Sequence, residues 1–474
     1  MNKISSIHFV GIKGVGMTPL AIIAKQAGVT VSGSDIADVF ITDASLKKAG
    51  ITPLIGFDAS HVGDVDLVIT TGAHGGFDNI EVKSAKEKDI PVVTQGEAVG
   101  IFMRGEIFGK EQKGISVFGS HGKTTTTAMV ATIFTKEGLD PSFLIGTSDV
   151  ASLGESAHYG KGDYFIAEAD EYATEPTYDK TPKLFWQHPE IAICTNIELD
   201  HPDIYESIDT LVSAFTTFIN KLPVNGVLIC FGDDKNIEKM LQNYTGKKVT
   251  YGLEKKNDYV IKNIQVTENK TTFQLGNIRK KTESFILAVA GEHNVFNAVA
   301  AVLAGISVGI SLSQIQKGIS AYTGSKRRLE YVGRLKTGAF VYDDYAHHPT
   351  EIAASLTALK KSHPDKKLVC VFQAHTYSRT KVLFKEFSKA FTLADSVVLT
   401  DIYSSQREAV DPTVSMEDLV LQINLNGQNA LYLPKPIDVV KYIQENAFTS
   451  DTLLVTMGAG DIYKIAQELD ITYG

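Results

Sequence analysis

The sequence predicts an α/β protein of three domains, and three observations support that fold class. The chain has 474 residues, which is more than one hydrophobic core usually organises. Strand patterns and helix patterns alternate along most of its length, as they do where helices cover a parallel sheet. Glycine-rich turns follow two of the strand patterns, and such turns can hold phosphate groups at the start of a helix.

The domains are placed at residues 1–109, 110–323 and 324–474. In the first, a helix pattern follows the first strand pattern and ends at Gly28, a residue type that commonly closes helices. Its strand patterns lie at residues 5–11, 29–35, 65–72 and 90–96. This alternation predicts a parallel sheet with helices on its faces.

The second and third domains repeat the alternation. Strand patterns of the second lie at 114–119, 163–170, 190–197 and 226–233, with a helix pattern at 123–138 and a more polar stretch at 247–285. Strand patterns of the third lie at 338–346, 367–374, 395–402 and 452–460, with a helix pattern at 349–360. Both domains are therefore expected to be α/β as well.

Composition and charge narrow the class of protein. The chain is 43% hydrophobic and 21% charged, with a net charge of −9 and a pI near 5.8, which argues against a general nucleic-acid binder. The three cysteines are far apart and form neither a zinc-site spacing nor a disulfide framework. Lys13 and several glycines interrupt the N-terminal apolar stretch, so no signal peptide is predicted. A cytoplasmic protein without nucleic-acid or membrane partners is expected.

Residues 294–316 carry no charge and are long enough to span a bilayer. Asparagine, glycine and serine residues punctuate this stretch, however. We interpret it as a buried helix that ends near Gly305 and a second helix that starts near Ser311.

The glycine turn of the second domain is a candidate phosphate site. A strand, a glycine turn and a helix together aim free N–H groups and the helix dipole at an anion. Lys123 would reach the outer phosphates, and the Thr124 hydroxyl would help to hold Mg²⁺. The other interpretation is an ordinary turn with a solvated lysine. The candidate residues are Gly119, Ser120, His121, Gly122, Lys123, Thr124 and Thr125.

Acidic side chains follow two later strands, at "AEADE" and "TNIELDHPD". They include Glu168, Asp170 and Glu171 in the first stretch, and Asp200 beside His201 in the second. The carboxyl ends of parallel strands meet at one edge of the sheet, where ligands bind. Carboxylates suit Mg²⁺, and a neutral histidine can add a nitrogen ligand. Helix caps and surface charges are the alternative interpretation.

These motifs resemble those of the Mur ligase family. The short loop G-x-x-G-K-T-T-T resembles the ATP loop of that family, which also includes folylpolyglutamate synthetase. The stretches E-A-D-E and T-N-x-x-x-D-H resemble its magnesium-binding motifs, and they align Glu171 and His201 with its metal ligands. The resemblance covers nearly the whole chain. It implies a Rossmann-like N-terminal domain, a central P-loop ATPase-like mononucleotide-binding domain and a Rossmann-like C-terminal α/β domain.

Further motifs extend the resemblance to the nucleotide. "GEHNVFNA" is similar to the family segment near the adenine, which implies that Asn294 and Asn297 bind ATP. "RRLE" implies that Arg327 or Arg328 lies near the nucleotide, with Arg327 preferred. "VYDDYAHHPTE" places Asp344 by the ribose.

The resemblance also implies the residues that contact the other substrates. Tyr345 and His347 align with substrate-binding positions. In "FQAHTYSRT", His375 and Arg379 stand where the family positions the incoming amino acid. Arg379 would bind the carboxylate of that amino acid, because a guanidinium is a fork-shaped donor.

The glycine turn of the first domain is a second candidate anion site. The dinucleotide fingerprint fails there, because the third glycine of that pattern would be Pro19, and an oxidoreductase is therefore disfavoured. Asp35 follows the second strand, where a ribose partner would stand. In the Mur ligases that add the first amino acid this turn looks like the cradle of the UDP sugar. The implied substrate residues are Gly11, Gly14, Val15, Gly16, Met17, Thr18 and Asp35.

By this resemblance the chain is expected to be an ATP- and Mg²⁺-dependent amide ligase of peptidoglycan precursor synthesis. It would join L-alanine to the lactyl carboxylate of UDP-N-acetylmuramate through an acyl phosphate, as a monomer or homodimer. Lys123, Glu171, His201 and Arg379 are its implied catalytic residues, with Thr124, Glu171 and His201 as metal ligands. Their presence argues against a binding protein that has lost turnover.

Two points stay open in the sequence. "EADEYATEPTYDK" looks closer to the murein tripeptide ligase of the same family, so L-Ala-γ-D-Glu-diaminopimelate is the alternative amine. The general base for the amine is also open among His201, His347 and His375. Because Lys123 starts a helix and would face a ligand, Lys123→Ala is expected to abolish turnover while leaving stability almost unchanged.

Overall fold

A computed structural model describes residues 4–267, 270–277, 282–404, 409–446 and 448–473. Its three large sheets follow one another along the chain, and each lies within one of the predicted domain ranges. The predicted α/β class with three domains is confirmed, whereas the boundaries at 109/110 and 323/324 stay predictions.

The N-terminal sheet is fully parallel and has the order β3-β2-β1-β4-β5. Its strands are β1 (Ser6–Val10), β2 (Thr30–Asp35), β3 (Leu54–Ile55), β4 (Leu67–Thr70) and β5 (Val92–Thr94). The helices are α1 (Thr18–Gln26), α2 (Asp43–Lys48), α3 (Ile80–Glu87) and α4 (Gln95–Met103). The strand order reverses beside β1, so the crevice for a ligand opens at its carboxyl end, where the turn at 11–16 lies.

The central domain is built on ten strands in the order β17-β16-β15-β14-β13-β12-β6-β9-β7-β8, and a separate hairpin pairs β10 with β11. The first strands are β6 (Lys113–Phe118), β7 (Ser142–Leu144), β8 (Ala157–His158), β9 (Tyr164–Glu168), β10 (Ala173–Glu175) and β11 (Asp179–Pro182). The others are β12 (Pro189–Cys194), β13 (Val227–Phe231), β14 (Lys247–Gly252), β15 (Tyr259–Val266), β16 (Thr271–Asn277) and β17 (Glu283–Leu287). The polar stretch at 247–285 thus forms an edge of the sheet.

Five helices belong to the central domain, within the described residues. They are α5 (Lys123–Lys136), α6 (Ile208–Ile219), α7 (Lys235–Met240), α8 (Glu292–Ser307) and α9 (Leu312–Ser320). The uncharged stretch at 294–316 is therefore the body of α8, a turn and the start of α9, as predicted. A Cβ on Gly318 of α9 would lie 2.9 Å from the backbone of Ile133, so α9 packs closely on α5. Among the described residues, no helix is both long and apolar enough to cross a bilayer.

The C-terminal sheet has the order β22-β21-β20-β23-β19-β18-β24, parallel except at β18 and β24. Its strands are β18 (Glu330–Leu335), β19 (Phe340–Asp344), β20 (Lys367–Phe372), β21 (Ser396–Leu399), β22 (Ala430–Tyr432), β23 (Thr452–Met457) and β24 (Ile471–Tyr473). Its helices are α10 (Pro349–Ser362), α11 (Tyr377–Val382), α12 (Phe384–Ala390), α13 (Met416–Leu425), α14 (Pro436–Glu445) and α15 (Lys464–Gln467).

The β10–β11 hairpin forms part of the contact between the N-terminal and central domains, which α1 and α4 also make. A Cβ on Gly72 would lie 2.7 Å from Pro176, so the two chains meet closely there. The Tyr178 hydroxyl donates to Asp78 at 2.5 Å. All three cysteines are free and buried, as the sequence indicated.

Candidate active site

The phosphate loop between β6 and α5 has a backbone that only glycine fits well. Gly119 has φ +124° and Gly122 has φ +82°, in the left-handed region. A Cβ on Gly119 would lie 2.4 Å from the Thr195 hydroxyl, and one on Gly122 would lie 2.4 Å from Asn297 Oδ1. Both glycines are therefore required by conformation and by space.

The segment that follows β12 holds this loop in place. The N–H of His121 donates to Asn196 Oδ1 at 2.9 Å, and Asn196 Nδ2 donates back to the His121 carbonyl at 2.9 Å. The Ser120 hydroxyl donates to the Glu198 carbonyl at 2.6 Å and accepts from the Glu198 N–H at 2.8 Å. The loop is thus fixed by hydrogen bonds to the neighbouring strand end and not by its own residues alone.

Lys123 lies in the first turn of α5 and pairs with Glu171. Its Nζ is 2.9 Å and 3.1 Å from the two carboxylate oxygens, and it also donates to the Gly119 carbonyl at 2.6 Å. The Glu171 side chain is 1% exposed and that of Lys123 15%. Burial acts to lower the pKa of Lys123, but Glu171 and Asp170 outweigh it and raise the pKa above its ordinary value.

A cluster of possible metal ligands surrounds this pair. Asp170, Glu171 and His201 each offer a ligand atom within 4.8 Å of the others. His201 Nε2 lies 3.5 Å from Glu171 Oε1. Burial raises the pKa of Asp170, but Lys183 and Lys123 lower it by more, so the net pKa lies below its ordinary value. The carboxylate is therefore ionised at neutral pH. The structure therefore brings together the predicted ligands Glu171 and His201 and adds Asp170.

Thr124, the other predicted metal ligand, faces the same edge. Its hydroxyl donates to Glu168 at 3.0 Å and accepts from Arg328 at 3.0 Å. Thr125 is buried in the same turn. Arg328 is thus the arginine that reaches the phosphate loop.

The two adjacent arginines differ in their surroundings: Arg328 reaches the phosphate loop and Arg327 does not, while the assignment of Arg327 to the nucleotide stays a prediction. The Arg327 guanidinium is buried inside the C-terminal domain, where it donates to Asp343 at 3.0 Å and to the Gly458 carbonyl at 2.6 Å. Its donors are therefore occupied. A sequence pattern did not separate two adjacent arginines, because only the packing decides which one points inward.

Asp200 joins the central and C-terminal domains. Arg379 Nε lies 2.9 Å from Asp200 Oδ1, and both side chains are about 95% buried, at 4% and 6% exposed. Asp200 Oδ2 lies 3.5 Å from His201 and 3.9 Å from His347. Burial raises the pKa of Asp200, but Arg379, His201 and His347 lower it well below its ordinary range.

His375 and Arg379, the two residues expected around the amine, lie at this contact between the domains, together with the predicted substrate residues Tyr345 and His347. Arg379 Nη1 donates to His375 Nδ1 at 3.0 Å. The rings of His347 and His375 lie 5.9 Å apart, and those of His347 and Tyr345 lie 5.4 Å apart. Burial, together with Arg379, lowers the pKa of His347 to about 4, so that this imidazole is neutral at pH 7.

A cavity of about 360 Å³ lies between the central and C-terminal domains. Asn294 and Arg328 line it together with Tyr331 and Tyr342. Asn297 lies one turn further along α8, where its Oδ1 accepts from Thr126 at 3.2 Å beside Gly122. The two asparagines assigned to ATP thus connect this cavity with the phosphate loop.

Asp344 is buried in the C-terminal domain instead of facing an open site. Its carboxylate accepts from the Ser355 hydroxyl and from the Ala346 N–H at 3.2 Å. Burial raises the pKa of Asp344 to about 6. Its assignment to the ribose stays a prediction that this placement does not favour.

The N-terminal turn has the expected shape but uses some predicted ligands internally. Gly11 has φ +79°. Asp35 Oδ2 accepts from the Lys13 N–H at 2.7 Å, and the Thr18 hydroxyl donates to the Ile12 carbonyl at 2.8 Å. Both side chains therefore brace the turn, and so do the N–H groups of Gly11 and Gly14, which donate to the carbonyls of Ser34 and Gly11. Gly14, Val15 and Gly16 are half-buried, whereas Met17 is buried at the start of α1.

Sequence reasoning missed several residues of the site. Asp170 and Asp200 were noted as strand-end acids but not assigned a role. His348 and Glu351 lie at the start of α10, where a capping box of these two residues is formed. The sequence feature that could have identified them is His-x-x-Glu directly before a helix pattern. This is the spacing of a capping box, although histidine is not the usual first residue of that motif.

The fold and the site together define a class of enzyme. Residues 6–106 match the Mur ligase family, catalytic domain; residues 117–305 match the Mur ligase middle domain; residues 327–460 match the Mur ligase, glutamate ligase domain. The chain belongs to the Mur ligase family.

Its relatives within the family are named UDP-N-acetylmuramate–L-alanine ligases. The chain is 38% identical to that of Desulfitobacterium hafniense, over 98% of this chain and 99% of the relative. It is 39% identical to that of Acetivibrio thermocellus, over 98% and 96%. The crystal structure of UDP-N-acetylmuramate-alanine ligase MurC from Thermotoga maritima superposes with a TM-score of 0.80 at 28% identity, over 98% and 97% of the two chains.

The buried Lys123–Glu171 pair changes the expected result of removing the lysine. Lys123→Met leaves a buried carboxylate without its closest partner and should lower the free energy of unfolding by on the order of 3 kcal/mol. Lys123→Met/Glu171→Gln removes both charges and should regain most of that loss. The free energies of unfolding of the two variants are measured by urea unfolding, with the fluorescence of the single tryptophan, Trp186, as the signal. Equal stability of the wild type and the single variant would contradict this pairing.

Asp344 should make stability depend on pH. Its folded-state pKa of about 6 lies above the ordinary 3.8, so the folded protein holds the proton more tightly and loses stability as pH rises from 4 to 6. Above that pH range the free energy of unfolding has fallen by its full amount, about 3 kcal/mol. Asp344→Asn should therefore stabilise the protein at pH 7.5 much more than at pH 4. The prediction is contradicted if the difference in free energy of unfolding between Asp344→Asn and the wild type is the same at pH 4 and at pH 7.5.

Proposed function

We propose that this protein is an ATP-dependent ligase that joins L-alanine to the lactyl carboxylate of UDP-N-acetylmuramate. The observation that carries the proposal is an unbroken series of close polar side-chain contacts from the phosphate loop to the C-terminal domain. It runs from Lys123 through Glu171, His201 and Asp200 to Arg379. The names of the relatives support the same substrates.

The chemistry requires that a carboxylate be activated before an amine attacks it. A carboxylate is a poor acceptor because its leaving group would be oxide. Transfer of the γ-phosphoryl group of ATP to the lactyl carboxylate gives an acyl phosphate, from which phosphate can leave. The amine then forms the amide, and ADP and phosphate are the other products. Lys123 stabilises the charge that develops on the transferred group.

Mg²⁺ fits the residues beside the loop. Asp170 and Glu171 offer oxygen ligands and His201 a nitrogen, and the Thr124 hydroxyl lies at the same edge. Bound there, the ion would offset the negative charge of the phosphates. Phosphate oxygens would replace Glu171 as the partner of Lys123, and Glu171 would then be available as a ligand.

The nucleotide base fits the cavity lined by Asn294 and Arg328. This cavity adjoins the phosphate loop through Asn297, so one nucleotide can reach both. A MurF ligase of Thermotoga maritima, which shares the fold at 14% identity and a TM-score of 0.65 over 87% of this chain and 96% of that chain, was solved in complex with ADP.

The sugar nucleotide is assigned to the N-terminal turn and the amine to the C-terminal domain. At the turn, the N–H groups of Gly11, Gly14 and Met17 donate within the protein, so those of Val15 and Gly16 are the ones proposed to meet an anion in the crevice beside β1. At the other side, Arg379 offers a guanidinium for the amino-acid carboxylate. His347 lies beside Arg379, but a pKa lowered to about 4 makes its imidazole a weak base, so the general base for the amine stays open among His201, His347 and His375.

A second candidate is a ligase that takes a preformed peptide as the amine. The murein peptide ligase of Psychrobacter arcticus superposes with a TM-score of 0.73 at 25% identity, over 98% of both chains. The N-terminal and central domains would serve either reaction. The smaller structural similarity and the names of the sequence relatives favour L-alanine.

Substrate choice tests the proposal directly. Phosphate release from ATP should require UDP-N-acetylmuramate together with L-alanine, with glycine and L-serine as weaker substrates. One methyl group is worth only ~1–3 kcal/mol, so glycine should react measurably. Ligation of L-Ala-γ-D-Glu-diaminopimelate with no reaction of L-alanine would reverse the assignment of the amine but not that of ATP.

The metal site gives an independent prediction. Glu171→Gln and His201→Ala should each raise the Mg²⁺ concentration needed for half-maximal activity, by on the order of tenfold or more. Lys239→Met serves as the control, because Lys239 pairs with Asp209 at 3.3 Å on the surface and is not part of this cluster. Activity that persists in excess chelator would rule out the metal requirement.

A further inference from the structure

A second cluster of metal-binding side chains lies on the other face of the phosphate loop. It consists of His121 in the loop, Glu198 after β12 and His348 before α10, and shares no residue with the Asp170–Glu171–His201 cluster. Each of the three offers a ligand atom within 4.8 Å of the others. His121 Nε2 lies 3.4 Å and His348 Nδ1 lies 3.6 Å from the same oxygen, Glu198 Oε2.

The imidazoles of this cluster are buried without hydrogen bonds at three of their nitrogens. Within the described part of the chain, neither nitrogen of His121 nor Nε2 of His348 has a hydrogen-bond partner, whereas Nδ1 of His348 accepts from the Thr350 N–H at 3.3 Å. His121 is 9% exposed and His348 5%. A buried polar atom without a hydrogen bond is energetically unfavourable, so such atoms call for an explanation.

Geometry explains why carboxylates lie near the two nitrogens of His121 without being hydrogen-bonded to them. A hydrogen bond needs the oxygen in line with the N–H, whereas two ligands of one ion both point at a third position. Neighbouring ligands in a tetrahedral zinc site are about 3.3 Å apart, given bond lengths of about 2.0–2.1 Å. The separations of 3.4 and 3.6 Å are close to that value.

The surroundings orient the two ligands that come from the central domain. Glu351 Oε1 lies 3.2 Å from His121 Nδ1, on the side of the ring opposite to Glu198. A carboxylate behind a ligating histidine is the usual arrangement in metal sites, because it fixes the tautomer and the ring. The Thr350 hydroxyl donates to Glu198 Oε2 at 2.6 Å and holds that carboxylate.

We propose that His121, Glu198 and His348 bind a divalent ion of the zinc class. Two imidazoles and one carboxylate suit Zn²⁺, whereas Mg²⁺ prefers an all-oxygen set. The fourth position can be filled by water from an adjoining groove of about 580 Å³, which Glu198 and His348 help to line. The ion would tie the phosphate loop of the central domain to the start of α10 in the C-terminal domain.

Binding of Zn²⁺, and of Co²⁺ as a visible probe, tests the site on the full chain. Excess Mg²⁺ is present to occupy the Asp170–Glu171–His201 cluster. One ion per chain should bind, with the absorption of low-coordinate Co²⁺. His348→Gln and Glu198→Gln should each weaken this binding by at least about tenfold. His158→Gln is the matched control, since His158 lies 2.9 Å from Asp140 and 3.3 Å from Glu155 in a similar cluster elsewhere.

The outcomes separate cleanly. The proposal is overturned if His348→Gln and Glu198→Gln both bind the ion as tightly as the wild type does. It is also overturned if the wild type binds neither Zn²⁺ nor Co²⁺ in the presence of excess Mg²⁺. Loss of binding in His158→Gln overturns it as well, because the ion would then lie at the other cluster. X-ray absorption of the Co²⁺-loaded wild type gives a test without any variant: a shell with two imidazoles supports the site, and a shell without imidazole overturns it. None of these readouts depends on ligase activity, so they stand apart from the proposed function.

Discussion

Pairing of buried carboxylates is the constraint on which the rest of the site depends. Glu171 and Asp200 are 1% and 6% exposed and follow β9 and β12, the two strands that flank β6 in the central sheet. An unpaired charge at such depth is strongly unfavourable, so each needs a cation close by. Lys123 and Arg379 are those cations, and His201 lies between the two acids. The positions of the phosphate loop and of α11 follow from this requirement.

The same constraint connects the domains. Lys123 belongs to the central domain, but Arg379 comes from the C-terminal domain and is 179 residues away from Asp200 in the chain. Arg328 similarly reaches Thr124 across 204 residues. Polar contacts of this kind orient one domain against another without a large apolar interface. They can also be exchanged for contacts to charged ligands, which suits a site assembled from separate domains.

Strand patterns in the sequence identified the central strands of each sheet but not all of their edges. The strands β1, β6 and β20 are buried apolar runs, and such runs are visible without a structure. The edge strands β3 and β8 have two residues each, which is too short for any periodicity. The order of the ten strands in the central sheet could not be predicted from the sequence either, because strand pairing depends on contacts between residues that are distant in the chain. Whether the protein is a monomer or homodimer stays a prediction.

The sequence by itself determined the local features: the strand–loop–helix unit at Gly119 and Gly122, the acids at strand ends, and the two helices at 294–316. These depend on backbone conformation and side-chain spacing over a few residues, which neighbours in the chain control. Only the tertiary structure decided that Arg328 and not Arg327 meets the loop, that Asp35 and Asp344 are turned inward, and that His121 meets His348. Those results depend on how the domains pack, and packing is decided by contacts between residues that are far apart in the chain.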